Sequence, residues 1–440
     1  GADVSAADLL LTTDRVLPAL PGADVRPARS TSPTAAAATF DQISAEARAR
    51  RSTIVGYWVD GTRTHIWVVR PDGTFRHASV AVTSRDLVTL VRALWAGLPS
   101  ESALTSDATS AQRTRARGDG APLETASAMD RATGVPLSPR RAARELYRLL
   151  VAPIAASLPA DGATLTIVPH GPLFRLSFAA LLDESDRYLV ERYAVGYGPS
   201  VSVLSFTRSM AARRPARTAQ HLFVADPQPM PAVPGDAEPL PPLPGTVDEV
   251  RQIAARLPAS THRTLVGATA GEAAVTRALA EATTIHFATH GIVRDDDPFG
   301  SFLALGGGGA GASEDGALTA EEVYGLRLQA RLVVMSACRS GLGEVSADGI
   351  VGLTRAFFFA GAPSVVATLW DVADGPSSHL LRDFYAALGR DGNVARALRA
   401  AQLAMLADLR AGRITAGGRS GARLPERPVL WASFVLVGEP

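Results

Sequence analysis

Lysine is absent from this sequence of 440 residues, and all 44 of its basic residues are arginines. The absence excludes three lysine-dependent chemistries: a Walker A phosphate loop, a pyridoxal Schiff base and a lysine general base. Basic and acidic residues nearly balance, which leaves a formal net charge of +1. A chain this close to neutral gives no reason to expect nucleic acid or an acidic membrane surface as a partner.

Cysteine is almost absent as well, because Cys338 is the one cysteine in the chain. A single cysteine excludes an intrachain disulfide framework and is typical of a reducing compartment. Apolar runs of about 20 residues, the length that spans a membrane, are also missing, and the first residues lack the pattern of a signal peptide. We therefore expect a cytoplasmic protein without a membrane partner.

The composition divides the chain into three parts. Residues 1–45 are rich in Ala, Pro and Ser and are expected to form a linker or the tail of an upstream domain. Residues 46–215 begin with a strand meander and continue with helices, and their polar segment 100–137 is predicted to be a disordered loop. Residues 216–440 alternate helices with short apolar strands, a pattern that predicts a mostly parallel sheet covered on both faces.

Several helix starts carry capping signals. Ser84 and Ser138 are predicted N-caps, the second followed by proline at the first helical position. Three Thr-x-x-Glu pairs are predicted to form capping boxes: Thr246/Glu249, Thr269/Glu272 and Thr319/Glu322.

Two of the predicted strands end in side chains that can carry out chemistry. The run TTIHFAT delivers His290, followed by Gly291, and the run RLVVMSA delivers Cys338, 48 residues after His290. Functional residues of parallel α/β sheets collect beyond the carboxyl ends of the strands. A cysteine nucleophile needs a neighbouring base, commonly imidazole, to raise its thiolate fraction. The backbone N–H groups of Gly291 and Cys338 are candidates for the oxyanion site.

From the residues alone, a structural interpretation stays open in which Cys338 is a buried core residue and His290 a satisfied loop residue. A metal site is not favoured. His286 and His290 have the His-x-x-x-His spacing, but the segment is strand-like and lacks the glutamate found in zinc-binding helices. We therefore expect no metal and no other cofactor.

The separation of His290 and Cys338 is close to the caspase pattern, in which a histidine precedes an Ala-Cys turn by about 50 residues. The glutamine of that pattern is missing and Ser340 replaces its glycine, so the chain is no close caspase. It resembles instead the CHAT family, caspase-like domains that often follow tetratricopeptide repeats and are related to separase and the gingipains. Six motifs in the family's order carry the resemblance: residues 165–183, 285–291, 332–344, 352–374, 395–406 and 430–438.

The resemblance implies an α/β fold, a caspase-like α/β/α sandwich with a mostly parallel central sheet, in which residues 46–215 form a smaller, degenerate caspase-like subdomain. It also implies a cysteine endopeptidase that cleaves a protein substrate through a His290–Cys338 dyad and an acyl-enzyme. Family members are commonly regulated by a neighbouring domain or partner in bacterial signalling or defence. A catalytically silent binding or scaffold module is the alternative, because a dyad does not prove turnover.

The same resemblance indicates a substrate-binding pocket lined by residues 369–379, which include Asp371 and Asp374. Separase, which selects arginine, has a further aspartate where this chain has Ser378. Carboxylates at the edge of a pocket disfavour an acidic substrate side chain. We therefore expect cleavage after neutral or basic residues, with helix or turn capping as the alternative role of the two aspartates.

Overall fold

The computed structural model describes residues 38–95, 137–214, 218–294, 297–307, 314–336, 349–370, 374–415 and 422–440. The strands in these ranges are β1 Ser52–Val59, β2 Thr64–Val69, β3 Phe75–Val80, β4 Thr164–Val168, β5 Ala194–Tyr197, β6 His221–Pro227, β7 His262–Gly267, β8 Thr284–Ala288, β9 Gly291–Ile292, β10 Phe302–Ala304, β11 Ala317–Thr319, β12 Leu332–Met335, β13 Ser364–Thr368 and β14 Phe434–Gly438. The α-helices are α1 Phe40–Arg50, α2 Ser84–Leu94, α3 Pro139–Leu150, α4 Leu189–Arg192, α5 Val201–Ala212, α6 Pro244–Ala254, α7 Glu272–Leu279, α8 Ala320–Gly325, α9 Gly349–Ala360, α10 Asp374–Asp391 and α11 Val394–Arg410.

Eleven of the strands form one sheet in the order β3-β2-β1-β4-β5-β14-β13-β12-β8-β6-β7, and β11-β10-β9 form a small second sheet. The block β1-β4-β5-β14 is parallel throughout, and so is the block β13-β12-β8-β6-β7. The pairs β1–β2, β2–β3 and β13–β14 are antiparallel. The prediction of a mostly parallel sheet is therefore confirmed.

Strand β14 joins the two parallel blocks. It is antiparallel to β13, where Phe434 pairs with Thr368, and parallel to β5, where Leu436 pairs with Gly196. The two blocks consequently run in opposite directions. The carboxyl ends of β8 and β12 lie at one edge of the sheet, and those of β4 and β5 lie at the other edge.

Helices cover both faces of the sheet. In β1, Ile54 belongs to a cluster with Ile43 of α1, whereas its neighbour Val55 belongs to the main core with Leu146 of α3. Because successive side chains of a strand point to opposite faces, α1 and α3 lie on opposite sides of the sheet. The predicted layering of helix, sheet and helix is confirmed.

The capping signals have mixed outcomes. The capping box of Thr319 and Glu322 is confirmed at the start of α8, and Ser138 is the N-cap of α3. The N-cap of α2 is Thr83 and not Ser84, because Thr83 exchanges hydrogen bonds with Asp86 at the third helical position.

The capping boxes predicted at Thr246/Glu249 and Thr269/Glu272 are wrong. Helix α6 begins two residues before Thr246, so both members of the first pair lie inside the helix. Helix α7 begins at Glu272 itself, and the Thr269 hydroxyl instead bonds to the backbone of Val266. In both pairs the glutamate bonds a residue distant in the sequence.

The division into residues 1–45, 46–215 and 216–440 remains a prediction. The boundary at residue 45 falls inside α1, and both larger parts contribute strands to the same sheet. Of the segment 100–137, which is predicted to be a disordered loop, residues 100–136 lie outside the described residues.

Candidate active site

Strands β8 and β12 are parallel neighbours, in register from Thr284 opposite Leu332 to Phe287 opposite Met335. The amide of Ser336 continues the ladder and donates to the carbonyl of Phe287 at 2.8 Å. The two strands therefore end side by side at one edge of the sheet, as expected from their sequences. His290 follows the end of β8 by two residues. Cys338 lies outside the described residues, two positions after Ser336.

The imidazole of His290 is held by a backbone carbonyl. Its Nε2 atom lies 2.8 Å from the carbonyl oxygen of Pro241, in the segment between β6 and α6. A carbonyl oxygen only accepts hydrogen bonds, so Nε2 carries the proton and donates. In the neutral imidazole this leaves Nδ1 as the nitrogen that can take up a proton. The arrangement suits a general base whose tautomer is set by a third group.

Asp226 fixes the segment that carries Pro241. Its backbone has a positive φ of 42°, a left-handed conformation that aspartate tolerates better than most residues. Its Oδ1 atom accepts from the backbone N–H of Leu243 at 2.7 Å and from the side chain of Gln228 at 3.1 Å. The Asp226 amide in turn donates to the Thr246 hydroxyl at 3.1 Å. Asp226 therefore ties the end of β6 to the first turn of α6.

The pairing of β9 with β10 sets the direction of the Gly291 N–H. Gly291 lies opposite Leu303 of β10, and the Ala304 amide donates to the His290 carbonyl at 2.9 Å. This pattern makes Gly291 and Leu303 a pair of the type without mutual hydrogen bonds, so the Gly291 N–H points away from β10. Strand β9 is an edge of the small sheet, and the Gly291 N–H therefore faces outward from that edge.

A buried polar network lies behind the strand ends. The His286 side chain is fully buried, with Nε2 at 2.9 Å from Glu249 Oε1 and Nδ1 at 3.0 Å from the Tyr385 hydroxyl. The Ser336 hydroxyl donates to Glu249 Oε2 at 3.4 Å. Burial raises the pKa of the Tyr385 phenol well above its ordinary value, and the charge of Glu249 adds to that effect. Tyr385 is therefore protonated at neutral pH and can donate to His286.

The predicted specificity residues are only partly described. Asp371 lies outside the described residues, and Asp374 is the first residue of α10. Ser378 lies in the first turns of α10, and its buried hydroxyl has no hydrogen-bond partner among the described residues. Its role in substrate binding stays a prediction.

The described ranges hold neither a metal-binding cluster nor a membrane-spanning helix. Within them, no group of three or more His, Cys, Asp and Glu side chains is placed to hold a metal ion. None of the helices in the same ranges combines the length and apolar character needed to cross a membrane.

Sequence reasoning missed four contributors to this region: Pro241, Asp226, Glu249 and Tyr385. Glu249 carries a visible signal, because its Thr-x-x-Glu spacing singles it out, but that spacing predicts a helix cap and not the observed hydrogen bond to His286. Pro241 acts through its carbonyl, which every residue possesses, so no side-chain pattern could have identified it.

The chain has relatives among curated proteins. It is similar to Tetratricopeptide repeat protein 28 of Homo sapiens, with 27% identity over 337 residues, covering 67% of this chain and 13% of the relative. The protein of the same name in Mus musculus is 28% identical over 287 residues, covering 56% of this chain and 12% of the relative. The chain therefore spans only a small part of the length of these relatives.

The chain is also similar to solved structures. The chain is similar to the Saccharomyces cerevisiae separase in its complex with securin, with 10% identity and a TM-score of 0.52 over 90% of this chain and 31% of that chain. It is also similar to the Arg-specific cysteine proteinase gingipain R, with 11% identity and a TM-score of 0.39 over 68% of this chain and 66% of that chain. The likeness to separase establishes the fold alone and confirms the caspase-like class.

The model of the CHAT domain matches residues 140–439. This range holds β4 to β14 and includes the positions of both proposed dyad residues. Because the match covers well over half of the sequence, this chain belongs to the CHAT domain family.

Proposed function

We propose that this chain is a cysteine endopeptidase that cleaves a polypeptide through His290 and Cys338. The observation that carries the proposal is the pairing of β8 with β12, whose adjacent ends precede the two residues. The hydrogen bond from His290 to the Pro241 carbonyl supports it further, because it leaves Nδ1 as the proton-accepting nitrogen.

The proposed reaction needs no group beyond the chain and water. The Cys338 thiolate attacks the scissile carbonyl carbon, and a C–S bond forms while the carbonyl oxygen becomes an oxyanion. The N–H groups of Gly291 and Cys338 donate to that oxyanion. His290, protonated at Nδ1, gives its proton to the leaving amine as the C–N bond breaks. Neutral His290 then takes a proton from water as the water oxygen attacks the thioester carbon and the C–S bond breaks. The carboxylic acid is released, and the Cys338 thiolate and protonated His290 are restored.

The test is covalent labelling by an electrophilic peptide probe, compared among the wild type, Cys338→Ala and His290→Ala. We expect labelling of the wild type, none of Cys338→Ala and strongly slowed labelling of His290→Ala. Melting temperatures of both variants should stay close to that of the wild type, because both residues lie beyond strand ends. Wild-type labelling that survives in Cys338→Ala would exclude the dyad. A wild type that neither labels nor cleaves would favour a silent binding or scaffold module.

Regulation is the second part of the proposal. The human relative is named for tetratricopeptide repeats, and this chain spans 13% of its length. We propose that a repeat domain of that kind, in the same chain or in a partner, is the activating element expected from the sequence. A bacterial signalling or defence role is not supported by the curated relatives reported above, which are mammalian.

A further inference from the structure

Glu249 is a buried carboxylate that contacts both strands of the candidate active site. It lies in α6 with 3% of its surface exposed. Its Oε1 atom accepts from His286 of β8 at 2.9 Å, and its Oε2 atom accepts from Ser336, just after β12, at 3.4 Å. His286 precedes His290 by four residues, and Ser336 precedes Cys338 by two.

The surroundings of this network are apolar. Phe223 lies opposite His286 on β6, and its ring centroid is 5.7 Å from the imidazole and 5.9 Å from the Tyr385 ring. Removing a carboxylate and an imidazole from water costs more than their pairing usually returns, so such a pair is a poor source of stability. The effect of the Glu249–His286 pair is to orient groups, because each hydrogen bond fixes the relative placement of its donor and its acceptor.

The hydrogen bonds form one network in which donors from two sides converge on Glu249. The Tyr385 phenol donates to His286 Nδ1, and His286 Nε2 donates to one oxygen of Glu249. The Ser336 hydroxyl donates to the other oxygen of the same carboxylate. Helix α10, strand β8, helix α6 and the end of strand β12 are therefore linked through Glu249. Helix α6 also begins three residues after Pro241, whose carbonyl holds His290.

We propose that Glu249 is a positioning residue that sets the placement of the ends of β8 and β12 relative to each other. Its consequence for the reactivity of Cys338 rests on the function proposed above. Its consequence for the pairing of the two strands does not, and the experiment measures the two separately.

The experiment compares two substitutions of Glu249 with a matched control. Glu249→Ala removes both acceptors. Glu249→Gln keeps both hydrogen bonds, because the amide oxygen accepts from His286 and the amide nitrogen donates to Ser336. Glu46→Ala is the control, since Glu46 is equally buried in α1 and accepts from Ser205 at 3.0 Å, in the other parallel block.

The first readout is amide hydrogen exchange of peptides that cover β8 and β12. In Glu249→Ala we expect exchange at the end of β12 to accelerate by about tenfold. The Gln variant should keep wild-type protection there. The control should lose protection around α1 and keep it in β12. Unchanged exchange at β12 in Glu249→Ala, or an equal change in the control, overturns the proposal.

The second readout is the alkylation rate of Cys338 as a function of pH. In Glu249→Ala we expect the rate at pH 7 to fall by about tenfold, since small misplacements of reacting groups have effects of this size or larger. The midpoint of the pH profile should rise toward about 8.5, the value of an unperturbed thiol. The Gln and control variants should keep the wild-type midpoint. If Glu249→Ala accelerates exchange at β12 but keeps the wild-type pH profile of Cys338 alkylation, Glu249 does not influence the reactivity of Cys338.

A wild-type thiol that already titrates near 8.5 would contradict the proposed dyad instead. The positioning role would then be decided by hydrogen exchange alone. Ser336→Ala is a milder second variant, in case Glu249→Ala does not fold. It removes only the hydrogen bond from the Ser336 hydroxyl to Glu249, and we expect a change of about threefold in both readouts, because this single bond is long, at 3.4 Å.

Discussion

His290 Nε2 donates a hydrogen bond of 2.8 Å to the carbonyl oxygen of Pro241. The two residues lie 49 positions apart in the chain and on different connecting segments. A backbone carbonyl is present whatever the side chain, so the orientation of His290 depends on where the segment lies and not on the identity of residue 241. The contact must therefore be tested through the residue that fixes the segment, which is Asp226.

We predict that Asp226→Ala lowers kcat by about tenfold with little change in KM, because a displaced Pro241 carbonyl leaves His290 poorly oriented. The variant loses two hydrogen bonds and places alanine at a left-handed position, so its stability should fall by about 1–3 kcal/mol. Asp226→Asn keeps the acceptor and tolerates the same backbone. Steady-state kinetics and chemical denaturation check both effects.

Asp183→Ala is the control for Asp226→Ala. Asp183 is a buried aspartate, whereas Asp226 is half-buried. Like Asp226, Asp183 accepts hydrogen bonds through its Oδ1 atom, here at 2.9 Å from the backbone N–H groups of Ser185 and Arg187, in the connection between β4 and β5. We expect it to lose stability without losing kcat once the folded fraction is taken into account. Equal losses of kcat in the two alanine variants would show that Asp226 acts only through general stability.

We predict that Glu272→Gln stabilises the protein more at pH 7 than at pH 4. Burial raises the pKa of the Glu272 carboxyl above its ordinary value, and Glu322, Asp315 and Glu314 raise it further, against the Gly316 N–H bond that lowers it. The folded state therefore binds this proton more tightly than the unfolded chain, and the stability it contributes at low pH is lost as pH rises through the raised pKa.

Glutamine keeps an acceptor for the Gly316 N–H, which lies 2.8 Å from Glu272, and carries no charge. The melting temperature of Glu272→Gln should exceed that of the wild type at pH 7 and approach it at pH 4. Glu281→Gln, at an exposed position, should show no such difference. A stabilisation by Glu272→Gln that is equal at both pH values would contradict the prediction.

We predict that residues 216–440 do not fold as an independent fragment. Strand β14 pairs with β5 through Leu436 opposite Gly196 and Val437 opposite Tyr197, and both blocks share one hydrophobic core. Removing the first half would expose the edge of β14 and an apolar face that needs a covering layer. Circular dichroism and thermal unfolding of the fragment provide the measurement. A soluble fragment with a cooperative transition would refute the prediction.

We predict that the proposed peptidase cleaves after neutral or basic residues and not after aspartate or glutamate. The expectation rests on the resemblance, which implies that Asp371 and Asp374 line the substrate pocket, where carboxylates would repel an acidic side chain. Ser378, in place of a further aspartate, should relax a strict demand for arginine. A peptide library profiled with the activated protein is the measurement, and dominant cleavage after aspartate would overturn the assignment.

Strand positions were predictable from the sequence because fully buried parallel strands form short apolar runs between helices. The runs that contain His286 and Met335 both became adjacent strands of the sheet. Strand β6 is not identified from the sequence, because it ends at Pro227, where a proline-rich stretch begins. The local composition indicates a loop, but pairing with β7 and β8 in the folded chain makes the segment a strand.

The two incorrectly predicted capping boxes also show that contacts with distant residues can override a local sequence pattern. A Thr-x-x-Glu spacing is compatible with a helix start and with a helix interior, and local sequence does not distinguish them. Thr319 and Glu322 exchange local hydrogen bonds, so the pattern predicts their structure. Glu249 bonds to His286, 37 positions away, and the partner decides its role. The two proposed dyad positions could be predicted because the ends of strands can be recognised in the sequence. The residues that hold these strand ends in place could not be predicted, because they come from distant parts of the chain.

The position of β14 has a consequence for the order in which the protein assembles. Strand β14 comes last among the described strands in the chain and lies sixth of the eleven in the sheet. During synthesis, β5 and β13 leave the ribosome before the strand that must lie between them. Each then carries an unpaired edge, the kind of surface that captures other chains. The sheet therefore cannot be completed until β14 has been synthesised, and we expect chaperones or aggregation to act before that point.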